Sequence, residues 1–271
     1  MKAENVIFAI NAVRDKNPLI HCITNPISIN QCACAVLAAG ARPMMGEHPA
    51  EVAEITSTAG ALLLNTANIT DVRMESMLIS AHTSSTKGIP FVLDPVGIAC
   101  SRLRREYVIG LIKKYTPSVI KGNYSELMAL YDSGYKSDGV DSVGNLQVGE
   151  MSVIARKLAA KYNTVILCSG KVDIVADKNC VIHIKNGSPQ LTRITGTGCM
   201  LGALCACYLS VCDALSAATT ACAVMGICGE IAQTDKGNGT FFVNLMDALS
   251  TVSDSDIQNY LKIEVFYFEK T

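Results

Sequence analysis

The sequence predicts an α/β fold built around a mostly parallel β-sheet, and two patterns support this. Short runs rich in Leu, Val and Ile alternate with longer stretches of helical periodicity, which is typical of βαβ units. Most of the short runs are apolar without alternation, as expected of strands that helices cover on both faces. The 271 residues carry no internal repeat or linker, so we expect a single domain over residues 1–271.

The predicted strands and helices follow one another at regular intervals. The strands are Leu19 to Ile23, Ala61 to Asn65, Pro90 to Asp94, Ser118 to Lys121 and Thr164 to Ser169. Helices are expected between them, because parallel strands need a crossover connection. These helices are Ser28 to Ala39, Pro49 to Ser57, Asp71 to Thr86, Ser101 to Lys114, Ser125 to Tyr131 and Met151 to Lys161.

The pattern changes in the last third of the chain. The runs Val172 to Ala176 and Cys180 to Lys185 flank turn residues, which predicts an antiparallel hairpin at the edge of the sheet. A further short strand is predicted from Leu191 to Ile194. The stretch from Cys199 to Gln233 then predicts two packed helices that separate near Asp213.

Two stretches need separate interpretation. Asp132 to Gly149 contains four glycines and several Asp and Ser residues, which indicates a surface loop. Ile194 to Cys212 has 19 residues without a charge, which is the length of a membrane-spanning helix. Three glycines in its first nine residues make its start loop-like, so we expect a buried helix and no membrane span.

The composition excludes several functional classes. Lys and Arg number 23 against 24 Asp and Glu, and there is no Trp and no basic run, so nucleic-acid binding is not expected. The four histidines lack the H-E-x-x-H spacing and no G-x-S-x-G motif occurs, which disfavours zinc hydrolases and serine hydrolases. His21 lies inside a predicted strand, and we expect a hydrogen-bonded core histidine there.

The twelve cysteines indicate the compartment. No pair has the C-x-x-C spacing, and the short apolar run near the N-terminus does not resemble a signal peptide. Structural zinc and disulfides are therefore disfavoured. We expect a reducing, cytoplasmic environment in which most of the thiols are small buried hydrophobic groups.

Polar residues follow five predicted strands, where ligands bind in open α/β sheets. They are Thr24-Asn25, Asn65, Asp94 to Gly97, Lys121 to Asn123 with Glu126, and Ser169-Gly170. Asp94 and Glu126 are suited to Mg²⁺. The alternatives are that Asp94 caps the following turn and that Glu126 occupies a favourable position in the helix dipole near Ser125. Lys121 either binds phosphate as a point charge or is a solvated strand end.

The sharpest motif is Thr195 to Cys199, with its two glycines. Gly196 and Gly198 let backbone N–H groups turn toward one point, and the following helix N-terminus adds partial positive charge. The alternative is only a tight turn before a helix. Cys199 lies in the first turn of that helix, which favours the thiolate, so it is a candidate base for phosphoryl transfer; otherwise it is another buried thiol.

These motifs stand in a definite order along the chain. They are His21 to Asn25, Ala39 to Met45, Gly60 to Asn65, Leu93 to Gly97, Lys121 to Asn123 with Glu126, Ser169 to Asp173, and Thr195 to Leu201. The ordered set, covering about residues 15–265, resembles the hydroxyethylthiazole kinases, a thiamine-salvage branch of the ribokinase-like superfamily.

The resemblance implies a ribokinase-like three-layer sandwich that uses ATP and Mg²⁺ to phosphorylate the primary alcohol of 4-methyl-5-(2-hydroxyethyl)thiazole. It also implies a homotrimer with sites between subunits. By motif, the implied residues are Cys199 for catalysis, Met45, Gly196 and Asn25 for the thiazole substrate, Lys121, Ser169, Thr197 and Gly198 for ATP, and Asp94 and Glu126 for the metal.

The sequence departs from the family pattern at two positions. Lys121 stands where the family more often has Arg, and lysine lacks the bidentate fork that arginine offers to phosphate. Ala67 stands where the family usually has Gly.

The alternative functions are those of a related kinase for hydroxymethylpyrimidine, a nucleotide-dependent hydrate dehydratase, or a non-catalytic nucleotide-binding protein. Cys199 in place of the superfamily's usual Asp argues against the first two. A dinucleotide oxidoreductase is a more distant alternative.

Overall fold

A nine-stranded sheet lies between two layers of helices in the computed structural model, which describes residues 1–135 and 146–268. The strands are β1 (Leu19–Ile23), β2 (Arg42–Met44), β3 (Ala61–Asn65), β4 (Phe91–Asp94), β5 (Val119–Asn123), β6 (Val165–Ser169), β7 (Asp173–Ala176), β8 (Cys180–Ile184) and β9 (Ile263–Tyr267). The helices are α1 (Ala3–Lys16), α2 (Ile29–Ala38), α3 (Val52–Thr58), α4 (Asp71–Lys87), α5 (Arg102–Lys114), α6 (Tyr124–Tyr131), α7 (Val148–Tyr162), α8 (Thr197–Leu209), α9 (Ala214–Ile231), α10 (Asn238–Thr251) and α11 (Asp254–Tyr260).

The sheet is parallel over its first six strands and antiparallel beyond them. The strand order is β2-β1-β3-β4-β5-β6-β7-β8-β9, and every pair from β2 through β6 is parallel. The mostly parallel α/β fold is thereby confirmed. The hairpin of β7 and β8 is also confirmed as antiparallel, but its predicted place at the sheet edge is wrong, because β9 pairs with β8 and covers it.

The strands supply side chains to two separate hydrophobic cores. In β3, Ala61 and Leu63 face the core beneath α1, α2, α8, α9 and α10, whereas Leu62 and Leu64 face the core beneath α4 to α7. This division follows from the period of two along a strand. Both faces of the sheet are therefore covered, and the predicted three-layer arrangement is confirmed.

Two helices of the layer that also contains α1, α2 and α10 are almost entirely buried, namely α8 and α9. In α9 every residue from Ala217 to Gly229 is buried, and in α8 every residue from Met200 to Leu209. Within the described residues, α9 is the one helix long and apolar enough to cross a membrane, but its side chains pack in the core. The uncharged stretch from Ile194 to Cys212 contains α8, so the prediction of a buried helix there is confirmed.

Several local predictions are wrong or incomplete. The predicted strand from Leu191 to Ile194 is instead a 3-10 helix, Pro189–Arg193, which Ser188 begins by accepting a hydrogen bond from the backbone N–H of Gln190. Proline at its first position fixes a helical φ and offers no N–H to a sheet. The sequence patterns also failed to indicate α1, β2, α10, α11 and β9. Of the predicted loop from Asp132 to Gly149, residues 136–145 lie outside the described residues.

The packing of α9 leads to a stability prediction at Gly226. A Cβ atom there would lie 2.7 Å from the carbonyl oxygen of Asn186 and 2.8 Å from its carbonyl carbon. Because backbone cannot move aside cheaply, Gly226→Ala is expected to lower the free energy of unfolding by about 1–3 kcal/mol.

The matched control is Gly110→Ala in α5, where a Cβ atom meets nothing within 4 Å. This substitution is expected to raise the free energy of unfolding by about 0.5–1 kcal/mol, because alanine loses less backbone entropy in a helix. Urea denaturation of the two variants measures both changes. Equal stability of Gly226→Ala and the wild type would contradict the packing described for α9.

Candidate active site

The predicted site residues meet at one edge of the sheet because their strands are parallel. Asn65 ends β3 directly beside Asp94 at the end of β4, and Asn123 ends β5 beside Ser169 at the end of β6. The register therefore brings four polar positions, separated by up to 104 residues in the sequence (65 to 169), to the same edge. Ligands bind at this edge in open α/β sheets.

An ion pair between Asp94 and Lys121 lies at the centre of this edge. The Lys121 Nζ is 3.2 Å from Oδ2 of Asp94 and 3.3 Å from Oδ1, and the side chains of Lys121 and Asp94 are 5% and 0% exposed. The possibility that Lys121 is a solvated strand end is therefore wrong. Asn65 also donates a hydrogen bond from Nδ2 to Asp94 Oδ2 at 3.0 Å.

Burial dominates the protonation of these groups. Burial raises the pKa of the Asp94 carboxyl, and Lys121 and Asn65 oppose that rise. Burial alone would lower the pKa of Lys121, but the carboxylates of Asp94 and Glu126 outweigh it and raise that pKa. The site therefore holds the Lys121 side chain as a cation beside Asp94.

Glu126 is a second buried carboxyl group near this pair. Its Oε2 accepts the backbone N–H of Asn123 at 2.8 Å and its Oε1 accepts the backbone N–H of Gly97 at 3.1 Å. Asn123 in turn caps α6 by accepting the N–H of Glu126, so Glu126 lies in the first turn of α6, as the helix-dipole alternative expects, and also near the site. Burial, followed by repulsion from Asp94, raises the pKa of Glu126 to about 7.

The glycine-rich turn begins α8 in a conformation that requires glycine. Gly196 has φ of 92°, and a Cβ atom there would lie 2.5 Å from Oε1 of Gln31. The Thr197 hydroxyl donates to the carbonyl oxygen of Leu191 at 2.9 Å. The backbone N–H of Thr197 lies at the start of α8. A Cβ atom on Gly198 would lie 3.4 Å from Lys121 Nζ, so the turn and the lysine are neighbours.

Cys199 lies in the first turn of α8 and accepts hydrogen bonds from two side-chain amides. The Nδ2 of Asn65 is 3.3 Å from its Sγ, and the Nδ2 of Asn25 is 3.5 Å from it. Asn25 also donates to Ser28 Oγ at 2.8 Å. Two side chains at or just after the ends of β1 and β3 therefore hold the Cys199 sulfur at the N-terminus of α8.

Met45 and Ser169 lie at the ends of β2 and β6, at the same edge of the sheet. Met45 follows β2, is half-buried against the core beneath α1 and α8, and precedes Gly46, whose carbonyl oxygen is 2.9 Å from His21 Nε2. His21 is buried and also bonds to Thr56, which confirms the predicted core histidine. Ser169 donates its hydroxyl to the carbonyl oxygen of Gly122 at 3.5 Å.

Three contributions to the site were missed from the sequence. Gln31 donates from Nε2 to the carbonyl oxygen of Thr195 at 3.0 Å and lies against Gly196. Arg104 joins the loops after β3 and β4 by donating to the carbonyl oxygens of Val96, at 3.1 Å, and Thr66. The third contribution is the set of side-chain contacts made by Asn65. Its position at the end of β3 in the sequence predicted that Asn65 lies at the edge of the sheet, but not which side chains it contacts.

The assembled groups suit phosphoryl transfer. A helix N-terminus and a buried ammonium group attract phosphate oxygens, two carboxylates lie beside them, and a thiol lies at the head of the same helix. Phosphoryl transfer needs charge stabilisation and positioning more than covalent chemistry. The geometry thus supplies an anion site next to a proton acceptor.

The chain is similar to known proteins over nearly its whole length. A family model described as the hydroxyethylthiazole kinase family matches residues 10–255. Hydroxyethylthiazole kinase 1 of Clostridium botulinum, strain Loch Maree, is 43% identical over 94% of this chain and 98% of its own length. Hydroxyethylthiazole kinase 1 of Methanosphaera stadtmanae is 37% identical over 96% of this chain and 97% of its own length.

Solved structures agree with these sequence matches. The hydroxyethylthiazole kinase protein from Pyrococcus horikoshii OT3 superposes with a TM-score of 0.89 and 31% identity, covering 97% of this chain and 99% of that one. A ribokinase-like superfamily protein from Enterococcus faecalis gives a TM-score of 0.62 at 11% identity, covering 93% of this chain and 88% of that one. The second match supports the fold alone.

The buried ion pair leads to a stability prediction. Lys121→Ala leaves the Asp94 carboxylate buried without its cation, so the free energy of unfolding is expected to fall by about 3–5 kcal/mol. The control is Lys185→Ala, which breaks a half-exposed pair with Glu264 and is expected to cost less than about 1 kcal/mol. Chemical denaturation measures both, and equal losses would contradict the central place of the buried pair.

Proposed function

Since the chain belongs to the hydroxyethylthiazole kinase family, we propose that this sheet edge is the active site of its ATP-dependent kinase activity in thiamine biosynthesis. The activity is phosphorylation of the primary alcohol of 4-methyl-5-(2-hydroxyethyl)thiazole. The observation that carries the assignment of the site is Cys199, held by two amides at the N-terminus of α8 and beside the glycine-rich turn.

Cys199 acts as the base in this proposal. Its thiolate takes the proton from the substrate hydroxyl while the alcohol oxygen attacks the γ-phosphorus of ATP. The bond between the γ-phosphorus and the bridging oxygen breaks, so that ADP leaves with that electron pair. The products are the thiazole phosphate, ADP and a Cys199 thiol, which returns its proton to solvent.

The ATP phosphates bind at the glycine-rich turn. Backbone N–H groups from Gly196 to Cys199 and the α8 dipole attract the phosphate oxygens, and Gly198 leaves room for them beside Lys121. Lys121 supplies a point charge that Asp94 already holds in place. Ser169 lies at the end of β6, beside the strand that carries Lys121, and contributes a hydroxyl to the nucleotide side of the site.

Asp94 and Glu126 fit a hydrated Mg²⁺. Among residues 1–135 and 146–268, no group of three or more His, Cys, Asp and Glu side chains is arranged to hold a metal ion directly. Both carboxyl groups already accept hydrogen bonds from the protein, which suits contact through water. When bound with ATP, Mg²⁺ neutralises the developing phosphate charge, and these two residues would hold it.

The thiazole substrate lies between Cys199 and the loop after β2. Asn25, which already contacts Cys199, and Gly196 line the side nearest the thiol. Met45 supplies an apolar surface for the thiazole ring on the other side, because β2 runs parallel to β1 and ends at the same edge. The backbone N–H of Ala67 donates to Oδ1 of Asn65 at 2.8 Å, a contact that either alanine or glycine at this position can make.

We extend the proposal to the assembly, the domain organisation and the compartment. A single continuous sheet supports one kinase domain over residues 1–271. The twelve free cysteines support a cytoplasmic location. Ile27, Leu37 and Met44 are exposed apolar side chains in or beside α2 and the edge strand β2, which supports a homotrimer with the thiazole site near the subunit boundary.

The catalytic assignment is tested by steady-state kinetics with Mg-ATP and the thiazole alcohol. Cys199→Ala is expected to reduce kcat by about a hundredfold or more, because the base is lost. Cys34→Ala, which removes a partly exposed thiol on α2, is the matched control and is expected to leave kcat unchanged. A wild-type kcat for Cys199→Ala would contradict the role as base, and turnover of hydroxymethylpyrimidine in place of the thiazole alcohol would contradict the substrate.

The trimer is tested by native mass spectrometry. The wild type is expected at three times the chain mass of 28.8 kDa. Leu37→Glu replaces an exposed apolar side chain of α2 by a charged one and is expected to shift the protein to monomers. Leu103→Glu, at a similarly exposed leucine on α5, is expected to leave the trimer intact. A wild type that remains a monomer contradicts the proposed assembly.

A further inference from the structure

The Asn65 carboxamide contacts two functional side chains at once. Its Nδ2 lies 3.0 Å from Asp94 Oδ2 and 3.3 Å from Cys199 Sγ. An amide nitrogen carries two hydrogens, so it can donate to both acceptors at the same time. Asn65 is 0% exposed, and no water is needed to complete its contacts. The side chain therefore links the carboxylate of the site to the thiol of the site.

The surrounding contacts determine which way this amide points. The Oδ1 of Asn65 accepts the backbone N–H of Ala67 at 2.8 Å. A reversed amide would place two N–H groups against each other at Ala67 and an oxygen against the Asp94 carboxylate. The hydrogen-bond network thus excludes the reversed orientation, and Nδ2 faces both Asp94 and Cys199.

Asn65 differs from Asn25, the other residue whose side-chain amide donates to the Cys199 sulfur. Asn25 approaches Sγ to 3.5 Å, and its Nδ2 also donates to Ser28 Oγ at the shorter distance of 2.8 Å. Asn65 is closer to the sulfur and donates its second hydrogen to a carboxylate. The two amides therefore hold Cys199 from two strand ends, but Asn65 alone of this pair joins it to Asp94.

We infer that Asn65 is a positioning residue for phosphoryl transfer: its amide holds Cys199 Sγ as a hydrogen-bond acceptor and fixes it relative to Asp94. The inference rests on the proposed role of Cys199 as the base. The amide donates to the sulfur, so Sγ is held as an acceptor and keeps further lone pairs for the proton of a substrate hydroxyl. An alkylating reagent reacts at the same sulfur, so its rate reports on this contact.

Two substitutions distinguish a positioning role of Asn65 in catalysis from a purely structural role. Asn65→Asp has the same size and still accepts the Ala67 N–H, but it puts a carboxylate oxygen where Nδ2 donates. Asn65→Ala removes both contacts without adding charge, so it keeps the test usable if the aspartate variant does not fold. Asn244→Ala, which removes a bond from α10 to the Ala232 carbonyl oxygen, is the matched control.

Two readouts are needed. The first is kcat and KM for ATP and for the thiazole alcohol. The second is the rate at which iodoacetamide alkylates Cys199 at neutral pH, followed by mass spectrometry of the peptide that contains it. Both Asn65 variants are expected to lower kcat by about tenfold or more, to change either KM by less than about threefold, and to slow alkylation by at least about threefold. Asn244→Ala is expected to match the wild type in all of these.

The inference is overturned if both variants keep kcat and the alkylation rate within about twofold of the wild type. It is also overturned if they raise KM while kcat stays unchanged, because Asn65 would then act in binding. A wild-type kcat for Cys199→Ala would instead remove the proposed base. Alkylation is read without turnover, so slower alkylation in the Asn65 variants would still support the contact with sulfur in that case.

Discussion

The carboxylate of Asp94 is the constraint on which this site depends. It ends a buried strand with no exposure to solvent, where an uncompensated charge would cost several kcal/mol. The neighbouring strands supply the compensation, as Lys121 comes from β5 and Asn65 from β3. Because these partners come from adjacent parallel strands, correct register of the sheet and assembly of the site are the same event.

The buried pair is joined to the glycine-rich turn through α8. Gly198 lies beside Lys121. One turn later, a Cβ atom on Gly202 would lie 3.3 Å from Leu63 Cδ1 and 3.6 Å from Asp94 Oδ2. Small residues on this face let the helix approach the charged strand ends closely. The same helix is buried along most of its length among alanines and cysteines of α9, so a tightly packed core holds the helix N-terminus in place.

Much of this arrangement could be predicted from the sequence, because it depends on local patterns. The sequence alone predicts that the functional residues lie at one edge of the sheet. Asn65 and Asp94 end apolar strands, and a pair of glycines precedes Cys199. What the sequence could not provide is the pairing of side chains across strands. Lys121 was open to two interpretations until its ion pair was seen, and the two contacts of Asn65 need three-dimensional distances. The short strand predicted at Leu191 failed because Pro189 and Ser188 begin a helical turn there.

A thiolate beside a phosphoryl donor can act as a base or as a nucleophile, and the proposed mechanism requires Cys199 to be the base. The most direct measurement uses an ATP analogue whose γ-thiophosphoryl group is made chiral by a heavy oxygen isotope, with the configuration of the product determined after transfer to the thiazole alcohol. Direct transfer to the alcohol, with Cys199 taking only the proton, predicts inversion at phosphorus. Retention would indicate two successive displacements through a phosphocysteine and would contradict the role of Cys199 as a base.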